Sequence, residues 1–197
     1  MCSLNRYVAF EGIDACGKTT QTKLFYEYLI HTGKDVFLTK EPGDTATGKK
    51  IRNIILQDNI DDKAALLLFL ADRVLTINKI KDKLKNSYIV SDRSLYSTIA
   101  YQSYGSGIDL NLIEQFNQFA TGGLKPDVVF YIDISINVMH ERLSNFDKME
   151  DKGEEFFNRV RDGYLKMADR YDNIYKIDGM QNKKDVFRDI VEIWNNL

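Results

Sequence analysis

The chain has 197 residues, of which 44% are hydrophobic and 28% are charged, as is typical of one globular domain with an apolar core. The 27 basic and 29 acidic residues leave a formal net charge of −2, which argues against a nucleic-acid-binding protein, since such proteins are usually basic. No apolar run reaches the ~20 residues of a membrane-spanning helix, so we expect no membrane partner.

Five short runs predict β-strands, at 6–11, 35–39, 87–91, 127–134 and 173–177. Most are rich in Val, Ile, Tyr and Phe, and several are continuously apolar rather than alternating. That pattern is typical of strands that are covered on both faces, as in a parallel sheet.

Apolar residues at helical spacing occupy the intervals between these strands. The predicted helices cover 19–33, 63–84, 109–123, 135–146, 154–171 and 183–197, and one more follows the Pro-Gly turn within 40–56. Gly33 is the expected end of the first helix, and Asp109 is a candidate N-cap. Strands that alternate with helices predict an α/β fold of three layers, with a five-stranded parallel sheet flanked by helices. Without repeats or a low-complexity linker, we expect one domain over 1–197.

The segment Gly12–Thr19 fits the pattern G-x-x-x-x-G-K-[ST] and lies between a predicted strand and a predicted helix. Glycines at both ends allow backbone turns in which successive N–H groups point at phosphate oxygens. The helix N-terminus adds positive potential, Lys18 supplies a cation for the β- and γ-phosphates, and the Thr19 hydroxyl is a ligand for Mg²⁺. The pattern predicts a P-loop for ATP, whose contacts come from Gly12, Ile13, Asp14, Ala15, Cys16, Gly17, Lys18, Thr19 and Thr20.

Cys16 lies in this loop, and with Cys2 it completes the cysteines of the chain. Two cysteines make neither a disulfide framework nor a zinc site, so we expect a reduced protein in the cytoplasm. A nucleophilic role is rejected because the only histidines, His31 and His140, are not obvious partners. A position near a helix N-terminus would favour a lowered thiol pKa.

Three further segments carry residues that suit a second substrate. Asp92 and Arg93 end the predicted strand 87–91, where they could hold Mg²⁺ and a phosphate, or could cap the next helix. Phe69 and Arg73 lie four residues apart on one helix face, where a ring and a guanidinium could contact a planar base, although a phenylalanine in a leucine run is usually core. Arg52 follows the turn within 40–56 and could equally lie on a solvated helix face.

Taken together, these motifs resemble the thymidylate kinase family. The shared patterns, in order, are FEG-x-D-xx-GKTTQ, EPG, G-x-x-IR, LLF-x-A-x-R, DR-xxx-S-xx-AYQ, GL-x-PD and FFNRVR-x-x-YL, over about 6–170. The resemblance implies a P-loop nucleoside-monophosphate-kinase fold with a small lid, commonly a homodimer. It also implies transfer of the ATP γ-phosphoryl group to dTMP, giving dTDP for dTTP synthesis, with Mg²⁺ required.

The resemblance also assigns roles to individual residues. The residues implied on the dTMP side are Glu41, Arg52, Phe69, Arg73, Arg93, Thr98, Tyr101 and Gln102. Among them, Arg52 and Arg93 hold the phosphate and Phe69 stacks on thymine, while Arg73 and Gln102 bond its edge with Thr98 nearby. Tyr101 disfavours ribose, and Asp14 faces the 3′-hydroxyl. Thr19 and Asp92 are the implied metal ligands, with Glu41 close to the metal and the phosphates.

The last catalytic cation is expected from the lid. One branch of the family has an arginine after the loop's acidic residue, and Ala15 at that position excludes this branch. In the other branch the lid, here 144–155, supplies the charge. Lys148 stands where the family usually has arginine and joins Lys18, Asp14 and Arg93 as the implied catalytic set. Lys152 and Arg142 are alternatives, and a solvated charge run competes with each.

A second departure is Ser94, where the family more often has Tyr or His. It implies a smaller side chain near the acceptor.

Two other functions stay open at this point. One is a kinase for another nucleoside monophosphate, such as dUMP or dCMP, because a 5-methyl group alone gives only ~1–3 kcal/mol of discrimination. The other is a P-loop switch or regulatory NTPase that binds partners. Against the switch stands the set Phe69, Arg73, Arg93 and Gln102, which a switch would not need.

Overall fold

The computed structural model describes residues 6–57, 60–143 and 153–197. The strands within them are β1 (Tyr7–Glu11), β2 (Val36–Lys40), β3 (Tyr88–Asp92), β4 (Val128–Asp133) and β5 (Ile174–Asp178). They form one sheet in the order β2-β3-β1-β4-β5, and every pair is parallel. The predicted five-stranded parallel sheet is confirmed, and each predicted strand agrees with an observed one to within a residue at its start.

The helices are α1 (Lys18–His31), α2 (Ala46–Gln57), α3 (Asp62–Lys83), α4 (Leu95–Thr98), α5 (Leu110–Thr121), α6 (Ile136–Arg142), α7 (Gly153–Arg170) and α8 (Lys183–Asn195). Gly33, just beyond α1, has φ 79°, a left-handed conformation that favours glycine. The Asp109 carboxylate accepts a hydrogen bond from Leu112 N at 2.9 Å, as expected of an N-cap.

One helical region was not predicted. After β3 the chain forms α4, which continues as a π-helical segment over Ile99–Gly105. Only Tyr96, Ile99 and Ala100 show the i, i+3, i+4 pattern of an α-helix before the π-helix changes the spacing, and so short a run does not predict a helix.

Aromatic packing explains the three layers. On one face of the sheet, Phe25 of α1 packs against Phe10 and Phe130 with ring centroids 5.6 and 5.7 Å apart. Trp194 of α8 meets the Phe25 ring edge-on at 5.2 Å. On the other face, Tyr164 of α7 stacks on Tyr131 of β4 at 5.0 Å. Residues from both faces of β1 and β4 are therefore buried, as continuously apolar strands predict.

The sheet topology decides where a ligand can bind. β1 lies in the middle of the sheet between β3 and β4, and Gly12–Gly17 connects its carboxyl end to α1. In open parallel sheets, ligands bind beyond the carboxyl ends of the strands. Among the described residues, no helix has the length and apolar character needed to cross a bilayer.

Candidate active site

A cavity of about 480 Å³ opens beside the loop that follows β1. It is lined by residues from the P-loop, the ends of β2 and β3, and helices α2 to α4. Of the residues singled out in the sequence, the cavity brings together Asp14, Ala15, Lys18, Thr19, Glu41, Arg52, Phe69, Arg73, Asp92, Arg93, Thr98, Tyr101 and Gln102.

The loop geometry requires glycine at its first position. Gly12 has φ 147°, and a Cβ there would lie 2.6 Å from the Ile132 carbonyl oxygen and 2.7 Å from Cys16 Sγ. Gly17, directly before α1, has φ 94°. These conformations belong to the turn that presents backbone N–H groups before a helix N-terminus, the arrangement expected of a phosphate-binding loop.

Several members of the predicted ATP set lie outside the cavity lining. Ile13 and Cys16 are buried beneath the loop, and Thr20 is exposed on α1. Burial raises the pKa of the Cys16 thiol, although the Lys18 charge acts to lower it. The expected lowering of this pKa is therefore wrong, because loss of solvent outweighs the positive helix end.

Lys18 lies against its own loop. Its Nζ donates to the Ile13 carbonyl oxygen at 3.3 Å and is 3.7 Å from Asp14 Oδ1. Since neither contact is a strong one by its distance, the ammonium is available to exchange them for phosphate oxygens.

Asp14, Arg93 and Tyr101 form a compact polar group at the cavity wall. Arg93 Nη2 donates to Asp14 Oδ1 at 2.6 Å, and the Tyr101 hydroxyl donates to Asp14 Oδ2 at 3.2 Å. Burial acts to raise the pKa of Asp14, but the charges of Arg93 and Lys18 outweigh it and hold the pKa below its usual range. Asp14 is therefore a carboxylate that holds two cations beside the P-loop.

The chemistry of Thr19 and Asp92 fits a magnesium ion. The Thr19 hydroxyl donates to Asp92 Oδ2 at 2.5 Å, while Asp92 Oδ1 is buried and has no hydrogen-bond partner among the described residues. In the described part of the chain, no three His, Cys, Asp or Glu side chains are placed to bind a metal ion together. A hydroxyl and one carboxylate suit Mg²⁺, which usually takes few protein ligands and completes its shell with water and phosphate.

Arg73 is much more constrained than the sequence suggested. The side chain is 3% exposed, and its hydrogen bonds go to Glu41 Oε2 (2.8 Å), Thr98 Oγ1 (2.7 Å), Asn117 Oδ1 (2.8 Å) and the Ser94 carbonyl oxygen (3.0 Å). A guanidinium has five N–H donors, so one remains for the edge of a base. Arg73 thus ties α3 to the β2 end, α4 and α5.

Glu41 lines the cavity, but its environment differs from that of an exposed metal ligand. One carboxylate oxygen binds Arg73, and the other, Oε1, is buried and accepts no hydrogen bond from residues 6–57, 60–143 or 153–197. Burial raises the pKa of Glu41, and the Arg73 charge only partly offsets that effect.

Three residues of the predicted dTMP set are open towards the cavity. Phe69 is partly exposed and lines the cavity, rather than being fully buried as core. The buried Gln102 side chain makes no hydrogen bond within the described residues. Among the described residues, Arg52 donates only to the Pro42 carbonyl oxygen, at 3.3 Å, and forms no salt bridge, although its charge acts on the Asp72 carboxylate.

The predicted lid lies mostly outside the described residues. Lys148 and Lys152 both fall in 144–152, so the expected catalytic lid cation stays a prediction. The third candidate, Arg142, donates to the Ala15 carbonyl oxygen at 3.4 Å and the Gly179 carbonyl oxygen at 3.0 Å. It therefore contacts the backbone of the P-loop.

The expectation for Ser94 is wrong. Ser94 is fully buried, does not line the cavity, and accepts a hydrogen bond from Tyr96 N as the N-cap of α4. Its hydroxyl donates to Glu11 Oε1 at 2.7 Å, so the side chain points into the protein rather than at an acceptor. This also shows that Ser94, and not the Asp92-Arg93 pair, caps the next helix.

Sequence reasoning missed other residues of the cavity wall, namely Lys40, Pro42, Ile55, Leu56, Asp72, Ser97 and Leu143. A signal existed for Lys40, which follows the predicted strand 35–39, and for Pro42 and Ser97, which belong to the patterns EPG and DR-xxx-S-xx-AYQ. Asp72 lies between the singled-out residues of α3, and its Oδ1 accepts a hydrogen bond from Gly43 N at 3.1 Å. The apolar members carry no signal that separates them from core.

Comparison with known proteins of similar sequence identifies the family of the chain. Residues 10–190 match the family model described as thymidylate kinase. A thymidylate kinase of Fervidobacterium nodosum is 41% identical, with 96% of this chain and 98% of the relative aligned. One of Thermosipho africanus is 42% identical over 95% of this chain and 96% of the relative.

A solved structure gives the same result for the fold. The crystal structure of thymidylate kinase from Ehrlichia chaffeensis superposes with a TM-score of 0.81 at 32% identity, covering 96% of this chain and 98% of that one. The predicted fold class and the predicted resemblance are both confirmed. The chain belongs to the thymidylate kinase family and is a kinase.

Proposed function

We propose that the protein transfers the γ-phosphoryl group of ATP to dTMP, giving dTDP on the route to dTTP, and that the cavity holds dTMP opposite the P-loop. The observation that carries this proposal is the shared cavity. It joins Lys18 and Thr19 of a phosphate-binding loop to an aromatic ring, Phe69, and to cations from two other segments, Arg52 and Arg93. A switch NTPase needs the phosphate-binding loop but does not need the aromatic ring and the additional cations.

On the donor side, the backbone of Gly12–Thr20 and the Lys18 ammonium bind the ATP phosphates. Thr19 and Asp92 hold Mg²⁺, which neutralises charge on the β- and γ-phosphates when it is bound. Lys18 exchanges its contacts with Ile13 and Asp14 for phosphate oxygens, and α1 directs its positive end at the same place.

On the acceptor side, Arg52 and Arg93 hold the dTMP phosphate. Arg52 is the stronger candidate for a direct ion pair, because no carboxylate in the described part of the chain forms a salt bridge with it. Arg93 must share its charge between Asp14 and the phosphate. Thr19 and Asp92 lie in the same cavity, so the two phosphate groups are brought close together.

The nucleoside is bound by the other residues of the cavity wall. Phe69 stacks on thymine, while the Gln102 amide, the remaining N–H of Arg73 and nearby Thr98 face its polar edge. Asp14 and Tyr101 contact the sugar.

The transfer itself needs little covalent chemistry from the chain. An oxygen of the dTMP phosphate attacks the γ-phosphorus, the bond from that phosphorus to the bridging oxygen breaks, and ADP leaves. The attacking oxygen is already anionic, so no general base is required. What the chain supplies is alignment and positive charge around the moving group, from Lys18, Arg93 and, from the lid, Lys148.

An ADP-release assay over the common nucleoside and deoxynucleoside monophosphates tests this proposal. We expect dTMP to have the highest kcat/KM, with dUMP lower by roughly 10–200-fold because it lacks one methyl group. Chelation of Mg²⁺ should abolish turnover. A higher kcat/KM for dCMP or a purine nucleotide would refute the assigned acceptor.

We also propose that the whole chain forms one domain, acts in the cytoplasm and works as a homodimer. A free, buried Cys16 suits a reducing compartment. Support for a dimer comes from neighbouring helices α3 and α5, which expose Leu67 (58%), Leu112 (41%) and Phe119 (86%). The other exposed residues on the outer side of α5, such as Gln115 and Gln118, are uncharged. A second copy of the same neutral surface would cover these side chains without burying charge.

Sedimentation of the wild type and of Phe119→Asp tests the dimer. We expect a dimer for the wild type and a monomer for the variant. A monomeric wild type at micromolar concentration would contradict the proposal.

A further inference from the structure

Behind the cavity wall lies a buried carboxylate, Glu11, that the proposed mechanism does not use. Glu11 is fully buried at the end of β1, directly before the P-loop. Oε1 accepts hydrogen bonds from Ser94 N and Ser94 Oγ, both at 2.7 Å. Oε2 accepts from the hydroxyls of Ser97 at 2.6 Å and Tyr164 at 2.8 Å. Four donors therefore converge on one charged group in the interior.

An ionised carboxylate accepts hydrogen bonds but donates none. The Ser97 hydroxyl has one proton, which its short bond to Glu11 takes up. Only lone pairs of the Ser97 oxygen remain for its other neighbours. Arg93 Nη1 donates to it at 3.0 Å, and the Tyr164 hydroxyl, whose own proton goes to Glu11, lies 3.1 Å away. Glu11 thereby makes Ser97 an acceptor towards Arg93.

The two ends of the Arg93 guanidinium are held differently. Nη1 donates to Ser97 Oγ and to the Gly12 carbonyl oxygen at 3.3 Å, so it faces the protein. Nη2 donates to Asp14 Oδ1 at 2.6 Å and to the Tyr101 hydroxyl at 3.3 Å, and both of these residues line the cavity. An anion that displaces Asp14 from Nη2 would leave the contacts of Nη1 in place.

The backbone of Arg93 depends on the same carboxylate. Arg93 has φ 76°, a left-handed conformation that is unfavourable for a residue with a side chain. Ser94 follows Arg93 directly, and Glu11 accepts hydrogen bonds from both its N–H and its hydroxyl. These bonds stabilise the turn immediately after the strained Arg93 backbone.

We propose that Glu11 and Ser97 are positioning residues for the acceptor phosphate, and that they act through Arg93. Glu11 orients the Ser97 hydroxyl, and Ser97 anchors Nη1 so that Nη2 can exchange Asp14 for the phosphate. This inference rests on the proposed role of Arg93.

The test is a double-mutant cycle on ligand binding, with dTMP and ATP titrated separately by calorimetry. Ser97→Ala is expected to weaken dTMP binding about tenfold, the usual worth of a hydrogen bond to a charged group, and to leave ATP binding within about twofold. Arg93→Ala alone tests the proposed role of Arg93 and should weaken dTMP binding more. In the Arg93→Ala background, Ser97→Ala should cause no further loss.

Glu11→Gln sharpens the test. If the glutamine oxygen keeps the two Ser94 donors, its NH₂ group faces Ser97 and donates to it. The Ser97 oxygen then accepts from this NH₂ group as well as from Arg93 Nη1, and its own proton turns to the Tyr164 hydroxyl, 3.1 Å away. Because two donors compete for one oxygen, we expect this variant to weaken dTMP binding, and again only while Arg93 is present.

Tyr96→Phe is the matched control, because it removes a buried hydroxyl of α4 that bonds Asn173 and does not contact Ser97, Arg93 or the cavity. It should lower the Tm and leave dTMP binding unchanged. An equal loss from Ser97→Ala with and without Arg93 would overturn the inference, since Ser97 would then act directly or only through stability. If Arg93→Ala itself binds dTMP normally, the assigned role of Arg93 fails instead.

Discussion

Phe69, in α3, has a partly exposed ring that lines the cavity. Its neighbours on the same helix, Leu66 and Leu70, are buried. Phe69→Ala is expected to raise the Kd for dTMP by tenfold or more, because stacking of a base on an aromatic ring contributes ~1–3 kcal/mol. Its effect on the free energy of unfolding should stay below the ~3–5 kcal/mol lost when a fully buried phenylalanine is truncated. Calorimetric titration and urea unfolding measure the two quantities.

Leu68→Ala provides the control for Phe69, since it removes a partly buried side chain of the same helix that does not line the cavity. It should change stability without changing dTMP affinity. If both variants destabilise the fold alike and neither alters the Kd, Phe69 is a core residue only.

Arg73 shows what a residue pattern leaves undetermined. Helical spacing predicts that Phe69 and Arg73 share a face, and both do line the cavity. Spacing does not predict how many partners the guanidinium finds, because Thr98, Asn117 and Ser94 arrive from distant segments of the chain. The same limit applies to Cys16, whose position in the loop was evident and whose burial by the surrounding core was not.

At the scale of elements, Asp133 at the end of β4 joins three of them. Its carboxylate accepts two hydrogen bonds from Arg161 of α7, at 2.7 and 3.0 Å, and one from Tyr131 at 2.7 Å, and lies 3.3 Å from Lys176 of β5. Burial acts to raise the pKa of Asp133, but the hydrogen bonds from Arg161 and Tyr131 outweigh it and leave the pKa below its usual value. The ionised form therefore stabilises the packing of α7 and β5 on β4.

Asp133→Asn is expected to lower the free energy of unfolding by about 2 kcal/mol at neutral pH, since it leaves Arg161 without its charged partner. Because the folded-state pKa is lowered, this contribution is fully present above the unfolded pKa of about 3.9 and is lost as the pH falls through the folded value. Urea unfolding of both proteins from pH 7 to pH 3 should show the difference shrink with acidification.

Asp172→Asn serves as the comparison for Asp133, because this exposed carboxylate has no partner among the described residues. It should change stability by less than about 0.5 kcal/mol at every pH. A difference between wild type and Asp133→Asn that persists unchanged at pH 3 would show that packing, not charge, is the origin of the effect.

Across the whole molecule, the fold was predictable to the extent that it depends on local patterns. Continuous apolar strands predicted a sheet covered on both sides, and the P-loop pattern placed the ligand beside β1. The strand order could not be read from these patterns, because β1 pairs with β3 and β4 through contacts between distant segments. The contacts that bring separate segments together in the acceptor wall also depend on that order. Spacing therefore predicts that Phe69 and Arg73 share a helix face, whereas the roles of Thr98, Tyr101 and Gln102 follow only from the resemblance.

Binding of dTMP without ATP distinguishes the kinase from a P-loop switch at the level of the whole chain. Because the chain's own residues form the acceptor wall of the cavity, dTMP alone should stabilise the folded state. At a concentration of 100 times its Kd, a ligand adds about 2.7 kcal/mol to the free energy of unfolding. For a chain of this size we expect the Tm to rise by roughly 5–10 °C. Thermal unfolding with dTMP, dUMP, ATP and GTP added singly gives the measurement, and at the same ligand concentrations Phe69→Ala should show about half the response to dTMP, or less, while keeping the response to ATP. Stabilisation by ATP or GTP but not by dTMP would favour the switch, because a switch has no pocket for a second nucleotide.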